Sequence, residues 1–69
     1  MNLRELRLRR GLRAVDVAQR LGVAESSVRN WEHGRTLPNF FCVRPLCELY
    51  GVSLEQLEEA VRAAGGRRG

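Results

Sequence analysis

The stretch AVDVAQRLGVAESSVRNW, Ala14 to Trp31, decides how the chain folds. Val17, Ala18 and Leu21 are spaced to share one face of a helix, and Ala18 is small enough for a second helix to cross close by. Gly22 follows the last apolar residue directly, where a helix end favours a residue that adopts positive φ. Val23 plugs the corner, and Val28 and Trp31 give a second short helix its inward face. An ordinary antiparallel helix pair with a glycine turn would share this pattern. Two features favour a helix-turn-helix that reads DNA. A turn of only about three to four residues imposes a steep crossing. The outer face of the second helix (Ser26, Arg29, Asn30, His33) is short and rich in hydrogen-bonding groups.

Composition narrows the partner. The chain has 69 residues, one domain at the small end of independent folding. All 12 basic residues are Arg, a bias that suggests a GC-rich genome, and the formal charge is +4. The charge is uneven: residues 1–35 hold eight Arg against four carboxylates, whereas residues 36–69 balance four against four. The positive half is the one with the helix-turn-helix, which points to a polyanionic partner. No long basic amphipathic helix speaks for a membrane surface. The two Cys are too few for a disulfide scaffold, and Cys42 and Cys47, five apart, would lie about 140° apart on one helix. With His33 as the one histidine, no metal site and no cofactor are expected. Structural thiols, no apolar run approaching 18 residues and no signal peptide lead to a cytoplasmic expectation, with Met1 read as the start.

Along the chain, Asn2 and Glu5 form a capping box that opens the first helix. Leu3 and Leu6 point inward, Leu8 falls off their stripe, and Gly11 ends the helix. Leu12 packs into the core. Arg13 takes the cap position of the second helix, although Arg cannot accept a hydrogen bond and its charge lies at the positive end of the helix dipole. A phosphate bound there would offset both costs. Ala24 begins the third helix, with Glu25 in its first turn, and Gly34 closes it. Residues 35–43 read as a loop crossing back over the domain, anchored by Leu37 and Phe40. Pro45 belongs in a first helical turn, which predicts a short fourth helix from about Arg44 to Tyr50. Leu46, Leu49 and Tyr50 face inward and Gly51 ends it. Ser53 and Gln56 cap a last helix through about Ala64, whose stripe of Leu54, Leu57, Val61 and Ala64 outlasts what a small core needs. The domain is thus expected over residues 1–64, and residues 65–69 as a disordered Gly/Arg tail.

The combination GL-x4-VA-x2-LGV-x7-WE-x-G-x3-P-x12-GVS, over about residues 2–58, resembles the Cro/repressor type of regulators, XRE-like and lambda-repressor-like. The resemblance implies an all-α, five-helix DNA-binding domain and a dimer on a near-palindromic operator. Helix 3 would lie in the major groove, with half-sites ~34 Å apart. It places Glu25, Ser26, Arg29 and Asn30 among the base readers. Ser27, Arg35 and Asn39 fall at phosphate positions, joined by Arg13 from the capping argument. Arg7 and Glu32 correspond to a structural ion pair. Asn30 suits an adenine edge and Arg29 a guanine edge; Glu25 either accepts from cytosine N4 or caps its helix. There are departures. Ala14 stands where the family has Gln, Arg13 and Ala24 replace the usual Ser/Thr caps, and Pro45 interrupts the common fourth helix.

The functional expectation is a sequence-specific regulator of double-stranded DNA, most simply a small repressor, with a dimer contact at Phe41, Leu57 and Val61. The alternative is an antitoxin or other protein-interaction module, for which Phe41, Leu49 and the last helix are the evidence. An enzyme is not expected: one His and no nucleophile beside a base leave little for catalysis.

Overall fold

Each capping signal in the sequence marks a helix start. In the computed structural model, which describes residues 1–65, the order is α1 (Leu3–Arg9), α2 (Ala14–Leu21), α3 (Glu25–Glu32), α4 (Phe40–Tyr50) and α5 (Leu54–Gly65). Among the described residues there is no strand. Asn2 and Glu5 exchange both bonds of the capping box at 2.8 Å, and Ser53 and Gln56 do the same at 2.9 and 3.1 Å. The turn of the helix-turn-helix is Gly22, Val23 and Ala24, three residues, with Gly22 at φ 72° and ψ 33°. At the far end α3 closes in a Schellman arrangement. The Gly34 amide donates to the Trp31 carbonyl at 3.1 Å and the Arg35 amide to that of Asn30 at 2.9 Å.

The core is one cluster to which every helix contributes: Leu3 and Leu6, Val17 and Ala18, Val28 and Trp31, Cys42, Leu46 and Tyr50, Leu57 and Ala60. Leu12, Leu21, Val23 and Leu49 pack against it, while Leu8 stays in solvent. Both cysteines are free thiols, Cys42 buried and Cys47 half-buried. Among the described residues no helix is long and apolar enough to cross a membrane.

Three expectations are corrected. Helix α4 starts at Phe40 rather than near Arg44, with Pro45 inside it. The cap is Asn39, whose Oδ1 accepts from the Cys42 amide at 3.1 Å. The buried positions Cys42, Leu46 and Tyr50 are spaced four apart, so the helix must run unbroken through Pro45 to bury all of them. The proline forfeits only the bond to the Phe41 carbonyl. Phe41 and Pro45 are both exposed, which leaves that oxygen on the side of the helix open to water. Second, Leu37 and Phe40 are not anchors; they are 74% and 83% exposed, because the helical start at Phe40 turns its ring outward. Third, Gly65 belongs to α5; the rest of the expected tail lies outside the described residues.

Candidate nucleic-acid interface

Helix α3 carries the candidate readers, and its position is set from its C-terminal end. Arg7 on α1 donates from Nε to Glu32 Oε2 at 2.6 Å and from Nη2 to Glu32 Oε1 at 3.1 Å. A third bond runs from Nη1 to the Leu12 carbonyl at 3.1 Å. The two side chains are 9% and 6% exposed, so this is a buried, bidentate pair of the kind that fixes orientation. The structure thus brings Arg7 and Glu32, named together in the sequence, into contact. The bond to Glu32 holds the Arg7 guanidinium above its ordinary pKa, against the opposing effect of its own burial. The Tyr50 phenol, buried beside the pair, is pushed up to about 12 by desolvation and by the charge of Glu32.

With Val28 and Trp31 turned inward, the opposite face of α3 is left to solvent. Ser26 and Arg29 are exposed; Glu25, Ser27 and Asn30 are half-buried. Glu25 does not cap the helix. Its Oε2 accepts from Arg29 Nη2 at 2.6 Å and from Nε at 3.1 Å, a surface pair one turn apart that contributes about 0.3–0.5 kcal/mol to the helix. Ala24 offers α3 no side-chain cap; the Ser27 amide donates to the Ala24 carbonyl at 3.0 Å, and the Glu25 and Ser26 amides before it are open to an anion or to water.

The phosphate candidates are spread over the elements that flank α3. Arg13 stands at the N-terminus of α2 and Asn39 at that of α4; Ser27 lies in the first turn of α3 and exposed Arg35 just beyond its end. Asn39 spends its Oδ1 on the Cys42 amide, which leaves the side-chain NH2 to donate. Arg13 differs from expectation in having a partner within the protein. Asp16 Oδ2 accepts from the Arg13 backbone N–H at 2.8 Å and from its Nε at 3.1 Å, and Asp16 Oδ1 from Nη2 at 2.9 Å. These bonds hold the Asp16 carboxyl below its usual range and the guanidinium above its own. Asp16, missed in the sequence reading, was signalled by an acid at the capping-box spacing from the cap residue. A phosphate at this corner competes with that carboxylate.

The expected dimer residues divide. Phe41 is 84% exposed and Val61 half-buried, but Leu57, at 2%, belongs to the protein's own core. Its place at the surface is taken by Leu54, 62% exposed. Leu37, Pro38, Val43, Leu54 and Val61 wall a groove of about 340 Å³ with Leu57 at its floor. A second hollow, between Phe40, Phe41, Cys47 and Leu54, shares Val43 and Leu54 with the first. The two phenylalanine rings stand edge to face, 5.6 Å apart.

Residues 1–60 match the helix-turn-helix domain family. The chain is 36% identical over 63 residues to an HTH-type transcriptional regulator, DdrOP3, of Deinococcus deserti, an alignment covering 91% of this chain and 49% of that protein. The chain therefore spans about half the length of the curated relative it matches. No solved structure matches it.

Proposed function

The chain belongs to the helix-turn-helix domain family, of the XRE-like kind that its motifs resemble, and on that premise we propose that it is a sequence-specific, DNA-binding transcriptional repressor. It acts as a dimer on a near-palindromic operator, with α3 in the major groove. The observation that carries this reading is the polar outer face of α3, presented after a three-residue turn and steered from behind by the Arg7–Glu32 pair. Asn30 reads an adenine edge and Arg29 a guanine edge, each worth ~1–3 kcal/mol of discrimination. Ser26 adds a hydroxyl at the same surface. Arg13, Ser27, Arg35 and Asn39 hold phosphates and set the register. The relative's description as a transcriptional regulator supports the same reading.

The dimer forms through the apolar face of Leu37, Phe40, Phe41, Leu54 and Val61. A two-fold contact sets the same patch against itself, and here ridge and groove lie side by side. The two rings of each protomer, at ~200 Å² apiece, supply about 800 Å² between two protomers before the leucines are counted, against roughly 1,200 Å² for a stable interface.

The test is selection of random duplexes by the purified protein, followed by salt-titrated binding to the enriched site. The expected result is an inverted repeat with half-sites ~34 Å apart. Log affinity should fall with log salt at about −0.9 per phosphate neutralised. If no duplex is enriched, the reading fails. The exposed phenylalanines then favour the alternative of an antitoxin or other protein-interaction module, which acts through that apolar face.

A further inference from the structure

Arg29 has five N–H donors in two usable edges, a side-on edge of Nε and Nη2 and an end-on edge of Nη1 and Nη2. Glu25 occupies the side-on edge alone, with a single oxygen, Oε2, accepting from both Nε and Nη2. Two consequences follow from that geometry. The guanidinium is held by its inner edge, so the parallel N–H groups of the end-on fork stay free and their direction is set by the helix rather than by a flexible stem. Oε1 of Glu25 is left without a side-chain donor among the described residues, adjacent to the fork and on the same exposed face of α3.

We infer that Glu25 and Arg29 act as one reading unit. Arg29 donates its end-on fork to guanine O6 and N7, and Glu25 is the positioning residue that aims it. The free Oε1 demands a neighbouring base with a major-groove amino group, cytosine N4 or adenine N6, and repels one that presents only oxygen or N7 acceptors there. The DNA class this unit takes is a guanine step flanked by an amino-bearing base on the face read by the start of α3. The carboxylate works against affinity while it sharpens choice, since it brings a negative charge to a polyanion. This inference rests on the DNA-binding reading above and goes beyond it by making selectivity at one base pair depend on a residue whose charge opposes binding to the polyanion.

The experiment compares the protein with E25Q, R29K and the double variant. Each is used in selection from random duplexes and then in titration against the enriched site and against a G·C to A·T change at the guanine. Both residues are on the surface, so the variants fold; Trp31 fluorescence checks this. Wild-type protein should prefer guanine by ~10-fold or more, the discrimination of one bidentate contact. E25Q should bind non-selected duplexes more tightly than wild type while its guanine preference drops by about two-fold. R29K, which lacks the planar fork but keeps donors for O6 and N7, should weaken the preference, and adding E25Q to it should change selectivity less than adding E25Q to wild type. An E25Q profile identical to wild type at every base pair overturns the unit, as does strict additivity of the two substitutions. If the wild-type protein enriches nothing, the DNA-binding reading itself falls and the pair with it.

Discussion

At the scale of single residues, the Arg7–Glu32 pair illustrates what a buried charge does. Among the described residues neither member has a second charged partner, and the Leu12 carbonyl takes only one Arg7 N–H, so E32L strands a buried guanidinium without its counter-charge. It should cost about 3–5 kcal/mol, most of the stability of a domain this size. R7M combined with E32L removes both charges and should recover most of the loss. Urea denaturation followed by the fluorescence of Trp31, the one tryptophan, reads both; a single variant within about 1 kcal/mol of wild type would contradict the buried-pair account. Tyr50 tests the same neighbourhood by pH. Its folded pKa, raised to about 12, means the unfolded chain ionises first as the pH climbs. The corresponding stabilisation is fully present below about pH 10 and is lost between about pH 10 and 12, roughly 2–3 kcal/mol. Stability measured across that window should fall in wild type and stay nearly flat in Y50F. Arg7 and Glu32 were legible as partners because the motif resemblance named them. Asp16 is less legible, because Arg13 is a poor cap for what it cannot accept and yet donates to an acid three residues on.

Among the elements, α1 and α5 were readable from their capping boxes and α2 and α3 from apolar spacing and the glycines that end them, despite the poor caps Arg13 and Ala24. Helix α4 was misread because two local signals conflict. Asn39 is a proper cap, yet Pro45 follows six residues later and suggests a start of its own. What decides between them is tertiary: Cys42, Leu46 and Tyr50 reach the core together only from one continuous helix. The proline is then a tolerated defect rather than a boundary. P45A should restore the bond to the Phe41 carbonyl and raise stability by about 2 kcal/mol, seen as a higher Tm. An unchanged or lower Tm would mean that the proline's restriction of the unfolded chain outweighs the missing bond. The same outward start of α4 explains why Leu37 and Phe40 were misassigned. The chain has more apolar residues than a core of this size can hold, and the sequence does not label the surplus.

At the level of the whole molecule Leu37, Phe40, Phe41 and Leu54 of that surplus line two adjoining hollows, and the dimer proposed there makes a separable prediction. F41D places a charge where the ring is already in water, so Tm should stay within a few degrees of wild type. Sedimentation and operator titration should show a monomer that binds one half-site weakly. Operator affinity equal to wild type would remove Phe41 from the interface. A last consequence lies in time rather than in energy. Glu32, at one end of α3, is clamped to α1, whereas Ala24 leaves the other end without a cap. Protection against hydrogen exchange should therefore rise along the two turns of a single helix. The Arg29 amide should trade its hydrogen through brief openings from the uncapped end, and the His33 amide, which donates to the Arg29 carbonyl at 2.9 Å, only when the entire domain unfolds. Exchange rates separated by an order of magnitude or more would make the reading helix a clock hand, pinned at one end and sweeping at the other. Equal rates would mean that α3 opens as one piece.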